Sequence, residues 1–299
     1  MPAIALLRAA FRRPRPYTDT HTHTHTHTHT HPVPDTRLTT TRTPDPAHLA
    51  AYNRVCGFPA TATPALPLTY PHVLAFPQAM RLMTAKDFPL PLLGLVHTSI
   101  EITQYRRTLS ATEAIELSVR TTQLAPHRRG TEATLLTEAT SPQGELLWQS
   151  HSTYLARHKT PPTPQPAPAP APTPTPAPGK NWSLPADLGR RYAAVSGDRN
   201  PIHLHALTAR PFGFPRAIAH GMWTAARCLA EQEQEQEGTP THARVEFKAP
   251  VLLPSTVTYS RTTHSGTTGT TGTTTFELRD AQGRLHLTGA TTAPNAALP

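Results

Sequence analysis

Segments rich in β-branched and other apolar residues recur along both halves of the chain. Pro or Gly turns separate them in the second half, a pattern typical of short strands in an antiparallel sheet. The predicted strands cover residues 94–109, 114–123, 131–140 and 146–156 in the first half, and residues 243–247, 256–263, 273–279 and 285–292 in the second. Each half therefore predicts a sheet of its own.

A helix is predicted before the strands of each half. In the second half it covers residues 222–237, where an alanine-rich stretch gives way to a Glu/Gln repeat before Gly238. This composition predicts a helix that is buried in its first turns and solvated in its last ones. In the first half, four prolines predict that the corresponding helix is interrupted and short, namely Pro71, Pro77, Pro89 and Pro91. The repeated order of elements predicts an α+β fold in two similar domains.

Two low-complexity segments accompany these halves. His and Thr alternate over residues 21–31, and we expect residues 1–46 to be a disordered tail, because such a composition cannot build a core. The alternating imidazoles would bind divalent metals adventitiously, but no second type of ligand accompanies them, so no specific metal site is predicted. Residues 160–181 are rich in Pro, Ala and Thr and predict an extended linker of polyproline II type. The chain then divides into a first domain at residues 47–159 and a second at residues 182–294.

Composition and charge narrow the class of protein. The formal charge of +9 comes from 28 basic and 19 acidic residues that are scattered along the chain, which does not predict nucleic-acid binding. No apolar run is long enough to span a membrane. Cys56 and Cys228 have no pattern of metal ligands around them, which indicates free thiols in a reducing compartment. We expect a cytoplasmic protein, with organellar import as the alternative because the N-terminal segment is basic and poor in acids.

The segment Tyr192-Ala-Ala-Val-Ser-Gly-Asp-Arg-Asn-Pro-Ile-His203 carries the candidate chemistry. Gly197 can adopt backbone angles that other residues avoid, and Pro201 keeps the residue before it out of helical geometry. The chain must bend here, so Asp198 and His203 can face one cavity and activate a water molecule there. The alternative is structural, with Asp198 as the cap of a turn or helix and His203 as an ordinary half-buried histidine.

The same segment resembles the signature of the MaoC-like, (R)-specific enoyl-thioester hydratases, a family with the hot-dog fold. In that family a Ser-Gly-Asp-x-Asn-Pro-Ile/Leu-His run is followed, farther along the chain, by an apolar-Ala/Val-His-Gly-Met turn. This chain has Ile218-Ala-His-Gly-Met222 in that place, and its later strand at residues 245–251 also matches. The resemblance covers residues 182–292 through its motifs and residues 47–159 in layout only.

The resemblance implies a double hot-dog protein, with an antiparallel sheet wrapped on a central helix in each domain and a degenerate first domain. It implies that Asp198 and His203 are the catalytic pair, that Asn200 supports them, and that the Gly221 amide binds the thioester carbonyl oxygen. A helix N-terminus suits this last role, because its amides are unpaired and carry partial positive charge. The residues implied to bind substrate are Ser196, Gly197, His220 and Met222, with packing as the alternative role of His220. No metal and no cofactor are implied.

The activity implied by the resemblance is the reversible hydration of trans-2-enoyl thioesters to (R)-3-hydroxyacyl thioesters. The substrate would be a thioester of coenzyme A or of an acyl carrier protein, which a basic surface would suit, although that surface can equally be merely solvated. One active centre per chain is expected, and a homodimer is compatible with it. Two alternatives stay open: a hot-dog acyl-CoA thioesterase and a non-catalytic acyl-thioester-binding protein. The first domain's candidates for an acyl tunnel, or for plain core packing, are Leu74, Phe76, Met80, Leu82 and Met83.

Overall fold

The structure is a computed structural model that describes residues 33–59, 65–160, 179–235, 240–264 and 272–292. Ten strands in these ranges form one antiparallel sheet. The strands of the first half are β1 (Arg37–Arg42), β2 (Leu95–Gln104), β3 (Ile115–His127), β4 (Gly130–Thr140) and β5 (Leu146–Arg157). Those of the second half are β6 (Lys180–Leu184), β7 (His242–Phe247), β8 (Ser255–His264), β9 (Thr273–Asp280) and β10 (Leu285–Thr292).

The order of the strands repeats from each edge of the sheet toward its centre. The first half runs β1, β3, β4, β5, β2, and the second half runs β6, β8, β9, β10, β7. β2 and β7 pair antiparallel at the centre, where Ser99 lies opposite Glu246. The two halves are therefore copies of one arrangement, joined side by side through their innermost strands.

The helices pack on this sheet in the same repeated manner. The described residues form α1 (Pro46–Cys56), α2 (Tyr70–Thr84), α3 (Leu188–Ser196), α4 (Pro201–Leu204), α5 (Ala206–Ala209) with a 3-10 turn at Arg210–Phe212, and α6 (Gly221–Glu235). Side chains from α2, α6 and both halves of the sheet share one buried cluster. This arrangement confirms the predicted α+β fold of two hot-dog domains. None of the described helices combines the length and the apolar character that a membrane span requires.

The central helix of the first half is longer than its prolines predicted. α2 has 15 residues, the same length as α6. Pro71 lies in its first turn, where a missing N–H group costs nothing, and Pro77 lies inside it. The burial of neighbours such as Val73 and Leu82 stabilises the helix and offsets the loss of the hydrogen bond that Pro77 removes. The prediction of an interrupted, short helix is therefore wrong.

The predicted tail and the predicted linker each carry regular structure at the C-terminal end. Residues 37–42 form β1, which pairs with β3 from Arg37 opposite Arg120 to Arg42 opposite Ile115. Asp45 then caps α1, since its Oδ1 atom accepts a hydrogen bond from the Ala47 amide at 2.8 Å. The first domain therefore begins before residue 47, and β6 begins at a position that the linker prediction included. The His-Thr repeat and residues 161–178 lie outside the described residues.

The end of α6 is more buried than its Glu/Gln repeat predicted. Glu231 is fully buried, and its carboxylate forms ion pairs with Arg227, at 2.7 Å, and with Lys180. Gln232 is also buried, and its Oε1 atom accepts a hydrogen bond from Thr291 of β10 at 2.7 Å. Because these partners compensate the buried polar groups, the helix stays in the core about one turn longer than expected.

Both cysteines are buried, free thiols, as the sequence indicated. Burial raises the pKa of Cys56 and of Cys228 above the usual value, so neither thiol is activated. Cys56 lies at the end of α1, one residue after Val55, whose carbonyl oxygen accepts a hydrogen bond from the Trp223 indole at 2.9 Å. This contact ties the first half to the central helix of the second.

Candidate active site

The bend predicted from Gly197 and Pro201 is made by one helix ending and another beginning. α3 ends at Gly197, whose φ of 75° lies in the left-handed region and whose N–H donates to the Ala193 carbonyl at 3.1 Å. α4 begins at Pro201, with Asn200 as its N-cap, because the Asn200 Oδ1 atom accepts from the Ile202 amide at 3.4 Å. Asp198 therefore lies on the short connection between two helices.

His203 is held in one tautomer. Its Nδ1 atom lies 2.8 Å from the Ile218 carbonyl oxygen, which can only accept, so Nδ1 carries the proton. The other ring nitrogen, Nε2, lies 4.0 Å from Oδ2 of Asp198. Burial lowers the pKa of His203, and the nearby charge of Asp198 and the Ile218 carbonyl only partly oppose this effect. The imidazole is therefore neutral at physiological pH and directs a lone pair toward the carboxylate.

The two oxygens of Asp198 have different surroundings. Oδ1 accepts a hydrogen bond from the backbone N–H of Asn200 at 3.1 Å, and Oδ2 faces both His203 and His220. The carboxylate is 30% exposed, so it remains open to small molecules. The alternative role of Asp198 as the cap of a turn explains only the hydrogen bond that Oδ1 accepts. The N-cap of α4 is Asn200 and not Asp198. Asn200 therefore contacts Asp198 through its backbone N–H and caps α4 through its side chain.

His220 packs between the groups of the site. Its ring stacks on that of His203 with centroids 3.7 Å apart, and its Nε2 atom donates to the Asp198 backbone carbonyl at 3.0 Å. Burial, together with the neighbouring His203, lowers the pKa of His220 to about 3, so it stays neutral. The ring of Tyr192 lies 4.9 Å away on the other side. These contacts favour the packing role for His220, because they fix the position of Asp198.

Gly221 is the first residue of α6, directly after His220. The first amides of a helix have no partner within it, so this end offers N–H donors and partial positive charge. A Cβ atom at Gly221 would lie 3.2 Å from the ring of Phe247, so a larger residue would crowd this end. Of the other residues predicted to bind substrate, Met222 lies in the core cluster. The Ser196 hydroxyl accepts a hydrogen bond from the Asp198 amide at 3.2 Å.

Two residues outside the motif also contribute to this site. Gly189 of α3 lies so close to α4 that a Cβ atom there would be 1.9 Å from the His203 carbonyl oxygen. The first half also reaches the site, since the ring of Phe76 lies 3.7 Å from the position of a Cβ atom on Gly197. Phe76 is one of the candidates named from the sequence for an acyl tunnel, whereas a glycine in a short helix carries no local signal of such proximity.

The three polar side chains also form the kind of cluster that can hold a metal. One ligand atom from each of Asp198, His203 and His220 lies within 4.8 Å of the others. However, Nε2 of His220 already donates its proton to the Asp198 backbone carbonyl, so on the side of the carboxylate only Nε2 of His203 offers a free lone pair. The arrangement therefore favours a hydrogen-bonded acid/base pair over a metal centre.

An Asp/His pair beside the start of a central helix, in a sheet built from two such halves, defines the class of double hot-dog hydratases and dehydratases. The family model of the MaoC-like domain matches residues 164–282, which include the whole motif. A curated relative from Mycobacterium tuberculosis, 3-hydroxyacyl-thioester dehydratase X, is 40% identical over 231 residues, which cover 75% of this chain and 79% of the relative. This chain belongs to the MaoC-like dehydratase family, and the resemblance seen in its sequence is confirmed.

Solved structures agree with this assignment. The crystal structure of HtdX from Mycobacterium tuberculosis has a TM-score of 0.72 and is 37% identical to this chain. The match covers 86% of this chain and 100% of the HtdX chain. A conserved hypothetical protein of the same organism, described as a double hot-dog fold, has a TM-score of 0.59 and covers 86% of this chain and 95% of its own. Its identity is 12%, so this second likeness concerns the fold alone.

Proposed function

We propose that this protein is a 3-hydroxyacyl-thioester dehydratase, which interconverts (R)-3-hydroxyacyl and trans-2-enoyl thioesters by removing or adding water. The observation that carries the proposal is the gap of 4.0 Å between Asp198 Oδ2 and His203 Nε2. A water molecule can hydrogen-bond to both atoms across this gap, with each bond at about 2.8 Å. The name of the relative that is 40% identical to this chain supports the same activity.

The geometry supports a division of roles in the hydration direction. Asp198 Oδ2 accepts one hydrogen bond from the water, and His203 Nε2 takes the other proton as the water oxygen bonds to C3. The negative charge moves through C2 to the thioester oxygen, and the imidazolium then returns its proton to C2. Overall, one water adds across the double bond and the imidazole is regenerated. Positioned acid/base groups of this kind contribute a factor of about 10² to 10⁴ in rate.

The start of α6 suits the charge that develops on the substrate. The Gly221 amide lies at the positive end of a helix of 15 residues, and a thioester carbonyl oxygen that approaches it would be stabilised as it becomes enolate-like. A Cβ atom at Gly221 would lie 3.2 Å from the ring of Phe247, so the absence of a side chain leaves room beside this ring. Loss of one such donor typically costs a factor of about 10² to 10³ in kcat. Ser196, Gly197, His220 and Met222 complete the proposed site by shaping the motif around these groups.

The proposal is tested with purified protein and trans-2-enoyl-CoA thioesters, from crotonyl-CoA to long chains. Loss of the enoyl absorbance, with formation of the (R)-3-hydroxy product and no release of free thiol, is the expected result. Release of thiol without hydration would instead support a thioesterase. Tight acyl-CoA binding without turnover at any chain length would support the non-catalytic alternative, and either result would overturn the proposal.

The carrier, the compartment and the assembly belong to the same proposal. Acyl carrier protein thioesters of matched chain length, assayed beside the CoA substrates, identify the carrier. A net charge of +9 suits both carriers, because both present negative charge. We place the protein in the cytoplasm as a homodimer, which cell fractionation and light scattering would check.

A further inference from the structure

Three polar aromatic side chains of the first half form a stack that the proposed mechanism does not use. They are His72 of α2, His97 of β2 and Tyr154 of β5, and we call them the stacked cluster. The rings of His97 and Tyr154 lie 4.5 Å apart with an interplanar angle of 16°. Those of His72 and His97 lie 6.1 Å apart at 12°. Three rings from three elements are therefore nearly parallel.

The stacked cluster lies next to the active site. The ring of His97 is 5.0 Å from that of Phe247, and Phe247 in turn touches the position that a Cβ atom on Gly221 would occupy. On the other side, Phe76 follows His72 by one turn of α2 and lies against Gly197. The charge of Asp198 also acts directly on His72 and on Tyr154. Phe247 and Phe76 thus connect the cluster to Gly221 and Gly197, respectively.

Two atoms of the cluster lack hydrogen-bond partners. Nδ1 of His72 and Nε2 of His97 are buried, and no group in the described part of the chain bonds to them. A buried polar atom without a partner costs free energy, so native proteins nearly always supply one. The link through Phe247 to Gly221, where the proposed mechanism binds the thioester carbonyl, brings the cluster within reach of an acyl chain. A bound ligand can therefore supply the missing partner.

The cluster carries no net charge. Burial lowers the pKa of His72 to about 4 and that of His97 to about 3, so both imidazoles are neutral at physiological pH. Burial and the charge of Asp198 raise the pKa of Tyr154, so its phenol is neutral as well. A carboxylate would find no cation in this cluster and would be repelled by Asp198. The cluster therefore suits a neutral oxygen group that can donate or accept a hydrogen bond.

We propose that the stacked cluster binds a hydroxyl or keto oxygen on the acyl chain, so that the preferred substrates are thioesters oxygenated beyond C3. This inference rests on the proposed dehydratase activity and deepens it by naming a class of acyl chain. A plain alkyl chain would bury the two unpaired nitrogens without satisfying them, whereas an oxygenated chain would satisfy at least one. The degenerate first domain then contributes chemical selectivity to the active site.

The test compares trans-2-enoyl-CoA chains of equal length, one plain and the others with a hydroxyl group at successive positions from C5 onward. Wild-type protein should prefer at least one hydroxylated isomer, with kcat/KM about tenfold higher or more, the usual order for one hydrogen bond in a buried site. His97→Phe should bring the ratio of kcat/KM between that isomer and the plain chain close to one, because the phenyl ring has no nitrogen to bond the hydroxyl. His72→Phe keeps an aromatic ring and removes the other unpaired nitrogen, so it provides a second variant if His97→Phe fails to fold.

His151→Phe is the matched control. His151 lies on β5 three residues before Tyr154, so its side chain points to the opposite face of the sheet, and its substitution should leave the preference unchanged. Equal kcat/KM values of the wild-type protein for plain and hydroxylated chains would overturn the inference and leave the dehydratase proposal intact. A preference that survives in both cluster variants would also overturn it. Absence of turnover with every chain would count against the proposed function itself.

Discussion

Nδ1 of His203 donates a hydrogen bond of 2.8 Å to the backbone carbonyl of Ile218, on the segment that leads into α6. This one contact sets the tautomer of the imidazole and turns Nε2 toward Asp198. It also joins α4, which carries His203, to the segment that carries His220 and Gly221. The proposed base and the proposed oxyanion donor are therefore placed relative to each other by a hydrogen bond.

His203→Asn and His203→Gln should separate the two functions of this side chain. An asparagine amide can replace Nδ1 as the donor to Ile218, but it has no atom at the place of Nε2. We therefore expect His203→Asn to keep its thermal stability within a few degrees and to lose a factor of about 10² or more in kcat/KM. His203→Gln should lose both activity and stability, because the Ile218 carbonyl loses its donor. Turnover by His203→Asn close to the wild-type rate would contradict the assignment of the base.

Asp198→Asn should abolish most of the activity without unfolding the protein. The amide keeps an oxygen for the Asn200 N–H, but it removes the charge that stabilises an imidazolium at His203. We expect kcat/KM to fall by about 10² to 10⁴. Arg199→Gln is the control, because it changes the charge of the exposed neighbouring residue within the same bend. An equal loss in both variants would show that the bend, and not the carboxylate, had been damaged.

Gly221→Ala tests the crowded start of α6. The added methyl group would lie 3.2 Å from the ring of Phe247, so the ring or the helix end must shift by a few tenths of an ångström. We expect kcat/KM to fall by a factor of about 10 to 10², since such a shift moves the amide out of line with the carbonyl oxygen. The double variant Gly221→Ala/Phe247→Leu should recover part of the activity. Unchanged activity in the single variant would argue against a role for this amide.

Gly189→Ala should destabilise the protein although it lies outside the motif. The added Cβ atom would lie 1.9 Å from the His203 carbonyl oxygen, so α3 and α4 must separate. We expect a loss of about 1–3 kcal/mol or more in the free energy of unfolding, together with reduced activity, because His203 moves with α4. Ala194→Ser, on the exposed side of α3, serves as the control and should change neither quantity. Urea denaturation of both variants measures the difference.

The buried histidines should make stability fall in mild acid. Above about pH 7 they are neutral in both the folded and the unfolded state, so they contribute no pH dependence. Below about pH 6.5 the unfolded chain binds protons that the folded protein refuses, so the free energy of unfolding falls by about 1.4 kcal/mol per pH unit for each such residue. The fall ends only near the folded pKa, which is about 4 for His72 and about 3 for His97 and His220.

Urea denaturation between pH 7.5 and pH 5 checks this pH dependence. His97→Phe removes one of the groups, so its slope should be smaller than that of the wild-type protein by about one proton. Ala194→Ser, an exposed substitution that changes no titratable group, is the control and should leave the slope as it is. A free energy of unfolding that does not change over this range would contradict the picture of buried neutral imidazoles.

Local pattern predicted those features of the fold that depend on local geometry. Strand segments such as β10 were found at their predicted residues, and the bend around Asp198 followed from a glycine and a proline. The length of α2 was misjudged, because the cost of Pro77 is offset by burial that only the folded core supplies. Similarly, Glu231 is buried because Arg227 and Lys180 meet it there, and Lys180 lies on a different element of the fold.

The family and the α+β class could be read from the sequence, and the pair Asp198 and His203 could be predicted from it, because these depend on residue types at fixed short spacings. Three further relations become visible in the folded protein alone: which nitrogen of His203 faces the carboxylate, how closely Gly189 must pack, and that His97 reaches the motif through Phe247. These relations join elements that are distant in the chain. They are set by the pairing of β2 with β7 and by close packing in the core, and neither leaves a periodic signal in either segment.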